Sequence, residues 1–269
     1  LMYVADAVAW GPTPVPEAID AIESLLPGDD LAVPAAVLPH LARMYAATGR
    51  YGDARAAVDR AETLRRELGW RSAAVNTRLI ATIVESAAGD LAAAEREARR
   101  AWEGLSALRD DRFAPVAADA LATVLVVAGK DDEAEELVAF VERSMEPENV
   151  FRQVGWRASK AELLARRGDL ADAERLAVES VRFADRTDAP TLRAGARVAL
   201  ARVLDRDGRQ VEATGIAAEA ARLFVSKQAL PPKPARDLLA RVGVAVAPAL
   251  AAERAGRRTR RMAAPTRTR

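Results

Sequence analysis

The side chains best able to do chemistry are scarce in this sequence. Cysteine is absent from its 269 residues, and His40 is its single histidine. Thiol nucleophiles, disulfide scaffolds, cysteine-based zinc sites and multi-histidine metal sites are therefore excluded. The adjacent carboxylates Asp110–Asp111, Asp131–Asp132 and Glu135–Glu136 remain, and such pairs can act as acid and base or bind a metal ion. They lie in predicted loops and first helical turns, where negative charge is favoured by the helix dipole, so the sequence favours a capping or solvated role.

No motif predicts a phosphate or nucleic-acid site. Gly129-Lys130 lacks both the earlier glycine and the following Ser or Thr of a phosphate-binding loop. Aromatic residues make up 4% of the chain, too few for a base-stacking platform. The segment from Glu253 to Arg269 holds seven arginines and one acid, and it can touch an acidic surface or simply aid solubility. We favour the second interpretation, and we predict no cofactor and no nucleic-acid partner.

The elements that must position any site repeat along the chain. A glycine with an alanine five residues later occurs at Gly49, Gly89, Gly129, Gly168 and Gly208, with spacings of 40, 40, 39 and 40 residues. Each glycine separates two apolar helical stretches, where a left-handed helix end is required. We therefore predict helical hairpins at 35–48 and 53–67, 72–88 and 91–108, 114–128 and 131–144, 151–167 and 170–186, and 191–207 and 210–226. Pro39 would allow the first of these helices to begin only there.

Small side chains fall in the same register within each unit. They stand seven residues before the glycine, five after it and, in most units, twelve after it, as Ala42, Ala54 and Ala61 do in the first unit. Small residues at these points let two antiparallel helices approach closely and let the next pair nest against them. Each hairpin is thus predicted to bury its apolar face only by stacking on its neighbours.

These residues carry a family resemblance. The phrase Gly-x-x-x-[Asp/Glu]-Ala, with the small residues around it, resembles the tetratricopeptide repeat in a long variant of about 40 residues. The resemblance implies an all-α, right-handed superhelical solenoid of five to six hairpins over residues 1–242. Leu1 to Trp10 and Val15 to Leu26 would form a partial first unit, and Ala235 to Val242 a closing helix. Residues 243–269 are predicted to be a basic, disordered tail.

In tetratricopeptide arrays, the first helices of the hairpins line a concave groove that binds a protein or peptide partner. Carried over to this sequence, the resemblance places six side chains at or near the groove: Arg43, Asn76, Asp119, Glu162, Arg202 and Arg206. Their mixed charges suit recognition of a peptide or a neighbouring domain. The same pattern also describes the solvated face of amphipathic helices, and both interpretations stay open.

The resemblance extends to the repeat region of large bacterial signalling regulators. In those proteins a signal-transduction ATPase module lies upstream, sometimes with a nucleotidyl cyclase domain. It implies a non-catalytic, cytoplasmic scaffold, the regulatory arm of a longer chain, because the array opens in mid-pattern. No membrane segment is predicted, since the apolar runs are too short. The alternatives are a free-standing adaptor, an enzyme with convergent titratable groups in the groove, or a nucleic-acid binder acting through the groove or the arginine-rich tail.

Overall fold

The structure is a computed structural model that describes residues 2–144 and 149–253 of the chain. All the regular structure in these residues is helical, which confirms the predicted all-α solenoid. The helices are α1 (Met2–Trp10), α2 (Val15–Glu23), α3 (Ala32–Ala46), α4 (Tyr51–Glu67), α5 (Arg71–Ala88), α6 (Leu91–Ala107), α7 (Ala114–Ala128), α8 (Asp131–Ser144), α9 (Val150–Arg167), α10 (Leu170–Ala184), α11 (Pro190–Arg206), α12 (Gln210–Lys227), α13 (Lys233–Arg241) and α14 (247–253).

The predicted glycine turns are confirmed. All five glycines adopt positive φ angles, from 76° at Gly129 to 96° at Gly89, in the left-handed region that a side chain disfavours. Each turn joins the two helices of one hairpin, from α3–α4 to α11–α12. The observed helices begin and end within three residues of the predicted bounds, since the same turn chemistry recurs in every unit.

The small residues pack where the repeat register places them. Ala42, Ala54 and Ala61 are fully buried, and their counterparts in the other four units are buried as well. Each hairpin packs its two helices together, and the second helix then packs against the first helix of the next hairpin. Helix approach at these points leaves no room for a larger side chain.

Ion pairs connect successive hairpins on the outside of this core. Arg55 of α4 pairs with Glu85 of α5 at 2.6 Å, and Arg209 pairs with Glu174 of α10, also at 2.6 Å. Two of the six carboxylates singled out in the sequence also pair with the next hairpin, whereas Asp110 accepts hydrogen bonds from the backbone N–H groups of Arg112 and Phe113. Asp131 pairs with Arg166 and Glu135 with Arg167, and in the described part of the chain no group of three or more His, Cys, Asp or Glu residues is arranged to hold a metal ion.

Helix α3 does not begin at Pro39, which was the alternative to the predicted helix 35–48. The helix runs from Ala32 to Ala46 with Pro39 inside it and buried. A proline within a helix removes one backbone hydrogen bond. Burial of Val37, Leu38 and Leu41 on the same helix compensates for that loss, because tertiary packing outweighs local propensity.

Packed structure continues beyond the predicted domain boundary at residue 242. Val246 and Leu250 are buried in the same apolar cluster as Leu238 of α13, and residues 247–253 are helical. The rest of the predicted tail, 254–269, lies outside the described residues. Within the described part, no helix is both long and apolar enough to cross a membrane.

Candidate functional site

The first helices of the hairpins, α3, α5, α7, α9 and α11, form the inner face of the solenoid. Each of these inner helices contacts the next one directly, whereas α4, α6, α8, α10 and α12 mainly contact the inner helices beside them. Closer approach along one side of the array curves it toward that side. The surface that the inner helices share, where the resemblance to tetratricopeptide arrays places the groove, is called the concave groove below.

Three of the six predicted groove residues line one cavity. Glu162 of α9 accepts a hydrogen bond from Arg202 of α11 at 2.7 Å, and Arg206 lies one turn further along α11. Arg202 also donates to the backbone oxygen of Pro234, at 2.9 Å. Arg206 is exposed and forms no hydrogen bond or ion pair with another described residue. Of the three, Arg206 is thus the side chain left for a partner.

The cavity has a volume of about 700 Å³ and a mainly charged lining. Its walls come from the C-terminal ends of α7, α9 and α11, from the start of α6 and from α13. The charged residues are the basic Arg166, Arg202, Arg206, Lys233 and Arg241 and the acidic Glu162, Asp205 and Asp237. Five positive charges against three negative ones leave the lining with a net charge of +2. Four of the five basic side chains are already paired with carboxylates, so among the described residues Arg206 is the one left to attract an acidic group of a partner.

Arg43 lies away from this cavity and packs within the chain. Its guanidinium carbon stands 3.5 Å from the centre of the Trp10 ring, a cation–π contact. Trp10 in turn meets Phe151 edge-on, with ring centres 5.6 Å apart. Burial lowers the pKa of Arg43 to about 10, although Asp6 nearby opposes that shift. Arg43 therefore connects α3 to the end of α1 and, through the two rings, to α9.

Asn76 and Asp119 are also absent from the cavity lining. The Oδ1 atoms of both side chains are buried without a hydrogen-bond partner among the described residues. Asp119 of α7 faces Gly155 of α9, where an added Cβ atom would lie 2.1 Å from its Oδ2 atom. Burial raises the pKa of Asp119 to about 7, and no neighbouring charge contributes to that shift. A single carboxylate without a second convergent group is no acid–base pair.

The groove is crossed by the chain's own C-terminal segment, residues 228–241. The backbone N–H of Leu230 donates to the oxygen of Ala47 at the end of α3, at 2.7 Å. Further along, Arg241 pairs with Asp205 of α11 at 2.8 Å. The sequence predicted that Pro231 to Pro234 would interrupt the array, but it gave no sign that the segment turns inward.

Lys227 is a buried charged residue that sequence reasoning missed, and it lies outside the cavity lining. Its side chain is fully buried, and its Nζ atom donates to the carbonyl oxygens of Gly11 at 2.5 Å and Val8 at 3.0 Å. An ammonium at the C-terminal end of α1 also complements the helix dipole. Burial lowers the pKa of Lys227 to about 8, assisted by Arg43, while Asp188 acts in the opposite direction. The one signal in the sequence was the residue type, because the chain has four lysines and 36 arginines.

Comparison with known proteins extends only to the fold. No protein-family model matches the chain, and no curated protein matches it either. Among solved structures, it is similar to a putative kinesin light chain with nearly identical TPR-like repeats from Podosopora anserina, at 17% identity and a TM-score of 0.48 over 72% of this chain and 97% of that one. Yeast Tom70 is similar at 14% identity and a TM-score of 0.41, over 92% of this chain and 59% of that one. Likenesses at this level imply nothing about function.

Proposed function

We propose that this chain is a non-catalytic scaffold that binds a segment of a partner protein in its concave groove. The observation that carries the proposal is the cavity, where α9 and α11 bring together Glu162, Arg202 and the unpaired Arg206. A concave, mainly charged surface of this kind suits an extended or helical segment more than a small apolar ligand. Arg206, which has no partner among the described residues, favours a segment that brings an acidic side chain to this point.

The enzymatic alternative has less support in the groove. Asp119 has a raised pKa, which is the property expected of a catalytic acid, yet it does not line the cavity and no charged neighbour shifts its pKa. Gly155 opposite this carboxylate is a backbone position without a side chain. Asp119 is better explained as a packed carboxyl group that is protonated near neutral pH.

We further infer that the chain is the regulatory arm of a larger bacterial signalling or transcriptional regulator. Support for this comes from the resemblance of its 40-residue repeats to the repeat regions of such proteins, which carry an upstream nucleotide-binding domain. A free-standing cytoplasmic adaptor is the second candidate. An immunoblot of a native lysate separates the two. A band several times heavier than 28.8 kDa supports the regulator, and a band near 28.8 kDa supports the adaptor.

The groove itself is tested by charge reversal at Arg206. Chemical cross-linking in lysate, followed by mass spectrometry, is compared for the unmodified chain and for Arg206→Glu. Arg182→Glu is the matched control, because Arg182 is also exposed but lies on α10, the second helix of its hairpin. A partner cross-linked at the cavity should be lost with Arg206→Glu and kept with Arg182→Glu. Equal capture by both variants would contradict the groove assignment.

A further inference from the structure

The C-terminal segment, residues 228–241, lies on the groove as a ligand would. It contacts the ends of three inner helices in turn. Leu230 bonds to Ala47 of α3, the side chain of Lys233 lies against Gly89 at the end of α5, and Arg241 pairs with Asp205 of α11. Arg202, which faces the cavity, uses one of its donors on the backbone of α13 and not on a partner.

Helix α13 is amphipathic in the orientation that a docked helix requires. Ala235, Leu238 and Leu239 are buried, and they belong to the apolar cluster that includes residues of α3 and α5. These positions are spaced three and four residues apart and so share one face of the helix. The polar residues Lys233 and Asp237 line the cavity instead. The groove thus already accommodates a short helix with two adjacent leucines.

This helix depends on the groove for its structure. It has nine residues, and no side chain caps its N-terminus at Pro232. An isolated helix of that length is not stable in water, so docking and helix formation are one event. Release of the segment would then be a local opening, since α13 lies outside the five hairpins α3 to α12.

From this arrangement we propose that α13 occupies the place of the partner's binding segment, and that this segment is a short amphipathic helix with adjacent leucines which displaces residues 228–241. The inference rests on the proposed function of the groove and adds the form of the partner and its regulation. Because an attached segment is present at high effective concentration, a partner making the same contacts binds weakly until the segment is released.

A labelled peptide with the sequence of residues 228–246 is the probe, and its binding is measured by fluorescence anisotropy. The receptor is the full chain carrying Leu238→Asp and Leu239→Asp, which weaken its own α13. We expect the peptide to bind this variant at least tenfold more tightly than it binds the unmodified chain. A peptide with the same two substitutions is the control. If the variant shows the helical circular dichroism of the unmodified chain and binds both peptides equally, the proposal is overturned.

Two further measurements remain decisive if that variant does not fold. Because the sequence has no cysteine, Asp205→Cys with Arg241→Cys creates a single pair that a short bis-maleimide can bridge. The bridged chain should bind the peptide at least tenfold more weakly than the same variant capped with N-ethylmaleimide. In the unmodified chain, the amides of residues 228–241 should exchange at least tenfold faster than those of α9 and α11. Equal peptide binding with and without the bridge, or equal amide protection, overturns the proposal.

Failure of this inference is distinguishable from failure of the groove function. If a partner is lost with Arg206→Glu but α13 never opens, the groove function stands and only the displacement of α13 is refuted. If the peptide binds the weakened variant but no partner is lost with Arg206→Glu, the docking of α13 stands and the scaffold proposal is refuted.

Discussion

Lys227 of the last complete hairpin donates a hydrogen bond to the carbonyl oxygen of Gly11, 216 residues earlier in the chain. The bond places the two ends of the repeat array in direct contact. Trp10 also meets the Phe151 ring of α9, so the start of the chain contacts both the middle and the end of the array. A solenoid whose ends touch is more rigid than one held only by neighbouring repeats.

The first prediction concerns the pH dependence that Lys227 imposes. The pKa of Lys227 is about 8 in the folded chain and about 10.4 in an unfolded one, so between these pH values the unfolded chain binds more protons. The free energy of unfolding should therefore rise with pH in this window, by at most about 1.4 kcal/mol per unit. Urea unfolding at pH 8 and pH 10 should show the rise in the unmodified chain and not in Lys227→Met. Lys130→Met, at a half-exposed position, should retain it.

The second prediction concerns Asp119, whose titration makes the free energy of unfolding fall as the pH rises, the opposite of Lys227. Because burial raises its pKa in the folded chain to about 7, the folded state binds more protons than the unfolded state between about pH 4 and 7. Stability contributed by this group is present at low pH and is lost as the pH rises through 7. Asp119→Asn should therefore be more stable than the unmodified chain at pH 8, by up to about 4 kcal/mol, and similar at pH 4.

Urea unfolding of Asp119→Asn at the two pH values is compared with that of Asp111→Asn. Asp111 is exposed, so its substitution should change the unfolding free energy little at either pH. A loss of stability at pH 8 in Asp119→Asn would show that the carboxylate is ionised and paired in the folded chain.

Overpacking tests the nesting of the hairpins. Ala173 is fully buried, whereas Ala171 on the same helix is exposed. Ala173→Leu should destabilise the chain by about 1–3 kcal/mol, because three extra carbons must fit into a packed core. Ala171→Leu should change stability by no more than about 0.5 kcal/mol. Thermal melting of the two variants makes the comparison, and equal melting temperatures would refute close helix approach at Ala173.

Alanine substitutions at two glycines test the backbone conformation without steric clashes. At both positions no other atom lies within 4 Å of the Cβ atom that alanine would add. Gly129 has a φ of 76°, whereas Gly195 lies within α11. Gly129→Ala should destabilise by about 1 kcal/mol, since an L side chain disfavours that backbone. Gly195→Ala should stabilise by about 0.5–1 kcal/mol, because alanine is the better helix former. The same direction of change for both in urea unfolding would contradict the turn assignment.

Local features of the fold were predictable from the sequence, and long-range ones were not. Gly129 and its counterparts mark turns through their own backbone requirements, and buried alanines such as Ala134 recur at fixed distances from them. Helix bounds therefore followed from the repeat alone. The start of α3 was harder to predict. The hydrogen bond that Pro39 removes is offset by burial of apolar residues on the same helix, and a short stretch of sequence does not show that burial.

The candidate site shows the same division. The register placed Glu162, Arg202 and Arg206 on neighbouring inner helices, and the structure brings them to one cavity. The repeat register did not indicate that Arg43 is covered by Trp10, because that contact involves α1, where the repeat pattern is weak. The inward course of residues 228–241 depends on contacts with α3 and α5, far away in sequence.

The contact between Lys227 and Gly11 also has a kinetic consequence. Repeat arrays usually fold fast and can lose their terminal units one at a time, because most contacts are local. Closing a loop of some 216 residues adds an entropic cost that only the finished structure offsets. The last docking step should therefore be slow. Once it is complete, neither end of the hairpin array is free to fray, and the hairpins α3 to α12 should unfold in a single cooperative transition, while residues 228–241 can still open locally.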